Sequence, residues 1–154
     1  MHKFYTDCML GKLARFLRFL GYDTLYRFNE TEKEMLIQSL SEDRIILSRS
    51  RSLLEKSKKL GVKALNIGNE GITNNLKILK QELKMGYPTD SGFSRCSNCN
   101  GILEKKAKDK IISRIPEGTA KYYNEFWECT NCKKIYWVGR HWENIRTILE
   151  NVKT

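Results

Sequence analysis

The segment RIILSRSRSLLEK, residues 44–56, is where the fold of this chain can first be read. Its apolar run Ile45–Leu47 is bounded by polar residues, as a buried strand is, and Leu53 and Leu54 begin a helical pattern. The elbow between strand and helix, Ser48–Ser52, holds two arginines and three serines but no carboxylate. Elbows of this kind lie at the edge where open α/β sheets place their chemistry. We therefore expect a functional site that has no acid at its elbow.

Strand and helix alternate in the same way along the first half of the chain. Short apolar runs predict strands, and helically spaced apolar residues predict the helices that follow them. The predicted strands cover residues 3–6, 24–28, 44–48 and 62–67, and the predicted helices lie within residues 8–21, 32–40, 50–60 and 74–86. Four such pairs with short connections predict an α/β fold with a small parallel sheet flanked by helices.

The composition changes after the fourth predicted helix. GYPTDSGFS, residues 86–94, contains turn-forming residues without periodicity, which is typical of a linker. Four of the five cysteines and all three tryptophans lie after Ser94. We expect one α/β domain over residues 1–88 and a second, small domain over residues 95–154 that ends in a short helix.

The charge of the chain indicates a polyanionic partner. Lys and Arg number 28 and Asp and Glu 18 among the 154 residues, and the formal net charge of +10 is shared by both predicted domains. Nucleic acid is the commonest polyanion that such a field attracts, whereas the alternative is a charged surface that only maintains solubility. No segment approaches the roughly 20 apolar residues of a membrane helix. No signal-peptide pattern is present either, so we expect a cytoplasmic protein without membrane contact.

Two short motifs predict a metal centre. Cys96–Cys99 and Cys129–Cys132 both read C-[ST]-N-C, and two such turns can direct four sulfurs at one point. Four thiolates form the closed, tetrahedral ligand set of a structural zinc site, which has no open position for catalysis. Disulfides and unpaired buried thiols are the alternatives, but disulfides need an oxidising compartment. The fifth cysteine, Cys8, is expected to be a small core residue.

The segment between the two cysteine motifs contains its own hairpin signal. KIISRI, residues 110–115, and EFWEC, residues 125–129, both look like strands. Pro116, Glu117 and Gly118 would form the turn after the first of them. Together with the cysteines, this pattern predicts a zinc ribbon.

The carboxylates do not converge in the way that a two-metal nuclease requires. Mg²⁺ or Mn²⁺ would need several acids at the carboxyl edge of the sheet. Asp7 follows the first predicted strand, and Glu30 and Glu32 lie on a loop at the same edge. Asp7 can also serve as the N-cap of the first helix, which is the simpler interpretation. Asn69 belongs to the same edge, whereas Asp23 would be a turn residue at the opposite edge.

Cations are more numerous than acids on the same elements. Those predicted to contact nucleic acid are Lys12, Arg15 and Arg18 in a stripe on the first helix, Arg49 and Arg51 at the elbow, Lys77 and Lys80 on the fourth helix, and Lys105, Lys106, Lys108, Arg140 and His141 in the ribbon. The elbow would hold a phosphate at a helix N-terminus, or it would simply be an N-cap beside two solvated arginines. Tyr136 and Trp137 could stack on unpaired bases beside these cations, or pack the ribbon against the first domain.

Four segments of the chain resemble one known family. DCMLGKLARFLRFLGYDT, RIILSRSR, RCSNCNGIL and IYWVGRHW stand in the order found in the RNase domain family first described at the C-terminus of the Mut-seven exonuclease. That resemblance covers nearly the whole chain. It implies a PIN-like fold that ends in a zinc ribbon, and RNA cleavage by acids that bind metal ions at strand ends.

The resemblance also marks a departure from the family pattern. Asp7 matches the first acidic position of the family, but Ser50 stands where the elbow of the family usually has an aspartate. Gly139, Arg140 and His141 replace an expected Gly-Ser-His. A neutral hydroxyl is a poor substitute for a carboxylate on Mg²⁺, so the nuclease centre is expected to be degenerate.

The sequence therefore predicts an RNA-binding, PIN-like protein with one structural zinc ion. Structured RNA such as ribosomal RNA, or the ribosome itself, is the expected partner, and no small-molecule cofactor is expected. Two alternatives remain open at this point. One is an active ribonuclease that uses Mg²⁺ or Mn²⁺ at Asp7 with the loop acids Glu30 and Glu32 as helpers, and the other is a protein-interaction module built on the ribbon.

Overall fold

The computed structural model describes residues 1–68, 70–87 and 94–153. Asn69, which was predicted to lie at the sheet edge, is outside the described residues. Most of the predicted linker is outside them as well. None of the described helices is long and apolar enough to cross a lipid bilayer.

The first half of the chain forms the predicted α/β fold. Four parallel strands lie in the order β2-β1-β3-β4, and one helix follows each strand along the chain. The strands are β1 (Phe4–Thr6), β2 (Thr24–Tyr26), β3 (Ile45–Ser48) and β4 (Ala64–Asn66). The helices are α1 (Gly11–Phe19), α2 (Glu32–Glu42), α3 (Arg51–Leu60) and α4 (Ile72–Leu83), and a 3₁₀ turn, Cys8–Leu10, precedes α1. Since β1 and β3 are the central strands, their carboxyl ends bring Asp7 and the predicted elbow side by side.

Apolar residues cover both faces of this sheet. Phe4 and Leu47 belong to the larger core, which includes α1 and α4, whereas Tyr5 and Ile46 pack with α2 and α3 on the other face. Successive side chains of a strand point to opposite faces, so strands that are buried on both sides read as continuous apolar runs. The run Ile45–Leu47 meets that requirement.

The C-terminal helix α7 (Arg140–Lys153) completes the larger core. Its buried residues Trp142, Ile145, Leu149 and Val152 belong to the same cluster as the residues of α1 and α4. Their spacing of three and four places them on one face of the helix. The apolar face of α7 is therefore buried against the α/β core.

The cysteine-rich part forms a three-stranded antiparallel sheet in the order β5-β6-β7. Its elements are β5 (Leu103–Lys106), α5 (Lys108–Ile111), α6 (Glu117–Tyr122), β6 (Phe126–Cys129) and β7 (Ile135–Tyr136), with a 3₁₀ turn, Ile112–Arg114, after α5. The predicted strand in EFWEC is confirmed as β6. β5 pairs with β6 across a connection that contains α5 and α6, and β6 and β7 form the hairpin of this sheet.

The predicted strand at residues 110–115 is wrong. These residues form the end of α5 and the 3₁₀ turn, and Pro116 lies before α6 instead of in a hairpin turn. Ile111 and Ile115 are four residues apart and are both buried against Phe126. That spacing suits one face of a helical segment, and β5 takes the place beside β6 that the prediction had assigned to residues 110–115.

Candidate nucleic-acid interface and metal centre

The four cysteines of the two motifs form one cluster that could bind a metal ion such as zinc. The ligand atoms of Cys96, Cys99, Cys129 and Cys132 all lie within 4.8 Å of one another. The Sγ–Sγ distances are 3.5 Å for Cys96–Cys132 and 3.4 Å for Cys99–Cys129. Four sulfur donors match the soft, tetrahedral set that zinc prefers. Within the described residues, no comparable cluster of His, Asp or Glu side chains occurs.

The backbone around the cluster supports thiolates. The N–H groups of Asn131 and Cys132 donate to the Sγ of Cys129, each at 3.4 Å. A Cβ atom at Gly101 would lie 2.6 Å from that sulfur, so only glycine fits there. Burial opposes ionisation of Cys99, but hydrogen bonds from Asn131 and Gly101 outweigh it and lower the pKa of Cys99 to about 6. This environment favours a charged sulfur at Cys99, whereas burial raises the pKa of Cys129 to about 11.

Arg18 joins helix α1 to the first cysteine turn, so the predicted exposed stripe Lys12–Arg15–Arg18 is wrong at its third member. Arg18 is only 5 % exposed. Its Nε donates to the carbonyl of Thr24, and its Nη1 donates to the carbonyl of Ser97, both at 2.9 Å. A guanidinium that is satisfied by buried carbonyls does not contribute to a nucleic-acid surface, whereas Lys12 and Arg15 are exposed.

Asp23 has a larger structural role than that of a turn residue. Its carboxylate forms a bidentate ion pair with Arg44, with N–O distances of 2.8 and 3.3 Å. Asn100, which follows the first cysteine turn, donates to Asp23 at 2.7 Å and accepts from the N–H of Thr24 at 3.0 Å. Burial raises the pKa of Asp23, but hydrogen bonds from Arg44 and Asn100 outweigh it, so the pKa lies below its ordinary value.

The carboxyl ends of the two central strands bring Asp7 and the acid-free elbow together. Ser48 donates its hydroxyl group to Oδ2 of Asp7, and the N–H of Met9 donates to Oδ1 at 2.8 Å. The predicted capping role of Asp7 is thereby confirmed, at the 3₁₀ turn that leads into α1. Ser50 is the N-cap of α3, with its Oγ accepting from the N–H of Leu53 at 3.3 Å, and its own N–H donates to Ser48 at 2.9 Å.

The loop acids do not join Asp7. Glu30 pairs with Arg27, and burial raises the pKa of Glu30. Glu32 pairs with Lys56 at 2.9 Å and links α2 to α3. Each of these acids thus has a cation as its neighbour, and Oε2 of Glu30 is buried without a hydrogen-bond partner among the described residues. The remaining donors beside Asp7 are hydroxyl and backbone N–H groups, a set that fits anions better than Mg²⁺ or Mn²⁺.

Two of the predicted cations line a cavity beside this edge. The cavity has a volume of about 180 Å³, and Lys12, Arg49 and Asn75 are among the residues that line it. Arg49 also donates from Nη2 to the carbonyl of Met9 at 3.4 Å. Arg51 is exposed and pairs with Glu55, and Lys77 and Lys80 are half-buried on α4.

The cations of the ribbon have partners of their own. Lys105 pairs with Glu125 at 2.9 Å, Lys106 approaches Glu104 at 3.6 Å, and Lys108 donates to the side chain of Asn124 at 3.2 Å. Exposed ion pairs of this kind are weak and exchange readily with a phosphate partner.

A second, larger cavity lies between the ribbon and the C-terminal helix. Its volume is about 320 Å³, and its lining includes Trp127, Trp137, Arg140 and His141. Trp137 packs edge-on against Phe126, and His141 packs against Phe19. Trp142 is buried in the main core.

Some site residues were missed or misjudged from the sequence. Cys8 is exposed, so its predicted role in the core is wrong; the residue lies in the 3₁₀ turn, whose buried position is Leu10. The hydrogen bond between Ser48 and Asp7 depends on the pairing of β1 with β3. That pairing cannot be predicted from a local sequence pattern. Asn75 carries no sequence signal that distinguishes it from any other polar residue of a helix.

Comparison with known proteins gives one match. The family model described as the Mut7-C RNAse domain matches residues 2–149. No curated protein and no solved structure matches the chain.

Proposed function

Because the chain belongs to the Mut7-C RNase domain family, we propose that it binds RNA through the carboxyl edge of its parallel sheet and has lost metal-dependent cleavage. The observation that carries this proposal is the composition of that edge. Asp7 is its one firmly placed carboxylate among the described residues, and this carboxylate already accepts hydrogen bonds from Ser48 and from the N–H of Met9.

The elbow supports the loss of cleavage. In-line cleavage by two metal ions requires several carboxylates around ions that lie about 4 Å apart. Ser50 occupies the elbow position where the family usually has an aspartate, and its hydroxyl group caps α3. The site offers one carboxylate where the reaction needs several, so a divalent ion would be bound weakly.

The cations support RNA binding. Lys12 and Arg15 are exposed on α1, and Arg49, in the elbow before α3, donates its N–H to Asp7 at 3.4 Å. The net charge of +10 attracts a polyanion over a long range. Since the basic residues extend over both the α/β domain and the ribbon, an extended, structured RNA such as ribosomal RNA is the partner that we propose.

The ribbon would contribute stability and additional contact surface. Zinc in the four-cysteine cluster would hold the two cysteine turns together, and Arg18 and Asn100 connect the first turn to α1 and β2. Because a four-thiolate zinc site is closed, we assign the metal a structural role and no part in catalysis.

A paired binding and cleavage assay tests this proposal. The wild-type protein is expected to bind structured RNA with an affinity that falls steeply with salt, and to co-sediment with ribosomal particles at moderate salt. The double variant Lys12→Ala/Arg15→Ala should bind more weakly and with a shallower salt dependence. Cleavage of RNA in Mg²⁺ or Mn²⁺ that Asp7→Asn abolishes would overturn the proposed loss of activity. The absence of salt-dependent RNA binding would overturn the proposed function itself.

A further inference from the structure

Two aromatic side chains of the ribbon lie outside the apolar cores. Trp127 on β6 and Tyr136 on β7 stand directly opposite each other in the antiparallel sheet, so their side chains share one face. Both are half-buried, and neither belongs to an apolar cluster of the described residues. Their chain neighbours Phe126 and Ile135, on the other face, pack with Ile111. The Trp127 face of the ribbon is therefore aromatic surface that the packing of the described residues leaves partly open.

The cavity between the ribbon and the C-terminal helix lies at this face. Trp127 and Tyr136 line it from the sheet, and His141 and Ile145 line it from α7. Its volume of about 320 Å³ falls within the range of about 300–1,000 Å³ that small ligands occupy in proteins. A cavity between an aromatic sheet face and a helix suits a flat ring that enters and stacks on the indole group.

The charges around this cavity indicate what carries that ring. Lys134 and Arg140 line the cavity and are exposed, and no carboxylate is found among the described residues that line it. The Nζ atom of Lys134 lies 5.3 Å from the centre of the Tyr136 ring, so a cation stands directly beside the aromatic surface. Proteins that bind single-stranded nucleic acid combine these two features, because bases stack on aromatic rings while cations hold the phosphates.

We propose that this cavity binds one unpaired base of an RNA, stacked on Trp127, while Lys134 and Arg140 hold the adjacent phosphates. This inference rests on the proposed RNA-binding function and adds to it the form of the RNA, which must carry an unpaired nucleotide. A fully paired helix keeps its bases stacked inside and offers no free ring to the cavity. Stacking is tolerant of base identity, so the site would select unpaired structure rather than sequence.

The test removes bases from the RNA and leaves its charge unchanged. An RNA hairpin with a loop of four adenosines is compared with the same hairpin carrying four abasic residues in that loop. Fluorescence anisotropy should show that wild-type protein binds the adenosine loop about tenfold more tightly, as the loss of one stacked base predicts.

Variants of the ribbon locate the effect. Trp127→Ala should bind the two hairpins with equal affinity, whereas Trp127→Phe should retain part of the preference, because phenylalanine still offers a ring for stacking. Tyr122→Ala is the matched control, since it removes a ribbon aromatic that is 76 % exposed and does not line the cavity. It should bind both hairpins like the wild type. Should Trp127→Ala fail to fold, the comparison of the two hairpins with wild-type protein still decides.

The phosphate contacts are tested separately. The double variant Lys134→Gln/Arg140→Gln should bind both hairpins more weakly by a similar factor and with a shallower salt dependence, because both RNAs keep their phosphates. Unchanged affinity for both hairpins in this variant would overturn the role of the two cations.

The possible outcomes separate this inference from the function on which it rests. Equal binding of both hairpins by wild-type protein overturns the base site but leaves RNA binding in place. A full preference that Trp127→Ala retains overturns the role of Trp127. Dimerisation of the wild type that Trp127→Ala disrupts would assign the cavity to a second copy of the chain instead. Failure of the wild type to bind either hairpin or any structured RNA overturns the proposed function.

Discussion

The hydroxyl group of Ser48 donates a hydrogen bond to the carboxylate of Asp7, across the two central strands of the sheet. The same hydroxyl group accepts from the N–H of Ser50 at 2.9 Å. The three residues form a chain of hydrogen bonds that fixes the elbow against the end of β1. Asp7 is thereby used as a structural acceptor, at the position where the family is expected to use an acid for metal binding.

Ser50→Asp should restore part of a nuclease centre. Aspartate is as good an N-cap as serine, so the beginning of α3 should be retained while a second carboxylate is placed beside Asp7. We expect cleavage of RNA in Mn²⁺ or Mg²⁺ to rise about tenfold or more above the wild type, because a divalent ion is bound more strongly. The measurement is a single-turnover cleavage assay on an end-labelled RNA.

Ser50→Asn is the matched control, because asparagine caps the helix without adding charge. It should bind RNA like the wild type and show no gain in cleavage. If Ser50→Asp folds, binds RNA and cuts no faster than Ser50→Asn, the carboxylate missing at position 50 does not explain the loss of activity.

Removal of one sulfur ligand should abolish stoichiometric zinc binding. Cys129 is fully buried within the cluster, and Cys129→Ser leaves three thiolates. Metal analysis of purified protein should give one zinc per chain for the wild type and less for the variant, with a lower thermal midpoint. Cys8→Ser, at an exposed cysteine outside the cluster, should change neither value. One zinc per chain retained in Cys129→Ser would contradict the proposed four-thiolate site.

Arg18 and Arg15 lie on the same helix, but replacing them with methionine should have different effects. The change at Arg18 should lower the stability of the fold, and the change at Arg15 should weaken RNA binding. Arg18→Met retains the apolar stem but removes the donors to Thr24 and Ser97, at an expected cost of about 3 kcal/mol in the free energy of unfolding. Arg15→Met changes an exposed side chain and should alter stability by about 0.5 kcal/mol or less, while it weakens RNA binding. Urea denaturation and anisotropy measure the two quantities. Equal stability of the two variants would show that the buried hydrogen bonds of Arg18 contribute little.

The ion pair between Asp23 and Arg44 should make stability depend on pH in the acidic range. The pKa of Asp23 in the folded protein lies below its ordinary value, so its contribution is complete above the unfolded pKa of about 3.9 and is lost as the pH falls toward the folded pKa. Asp23→Asn should lower the free energy of unfolding by about 2 kcal/mol at neutral pH. This is less than the roughly 3–5 kcal/mol expected when a fully buried ion pair is broken, because Asp23 is partly exposed.

Urea denaturation at pH 7 and pH 3 tests that dependence. The wild type should lose more stability between the two values than Asp23→Asn does. Asp43→Asn is the control, because it removes a nearby carboxylate at a position with positive φ that asparagine tolerates. An equal loss in the wild type and in Asp23→Asn would exclude this carboxylate as the source.

Much of the fold could be predicted because its signals are local. Each strand of the parallel sheet is a short run of apolar residues, and each helix has its own apolar face, so their order follows from the pattern. The cysteine motifs predicted one cluster, since two turns of that spacing can share a single centre. The strand at residues 110–115 was mispredicted because isoleucines four residues apart suit a helical segment as well as a strand.

The parallel α/β architecture, the two cysteine motifs and the absence of acids from the elbow can all be recognised in the amino-acid sequence, because each depends on residues that are close together in the chain. Which of these side chains come into contact depends on how the helices and strands pack. Arg18 looks like one more exposed cation in the sequence, yet its burial against Ser97 makes it a link between domain and ribbon. Asn75 was unremarkable until the packing of α4 removed water from its carbonyl oxygen. Contacts between residues far apart in the chain depend on how the elements pack, and no local pattern records that packing.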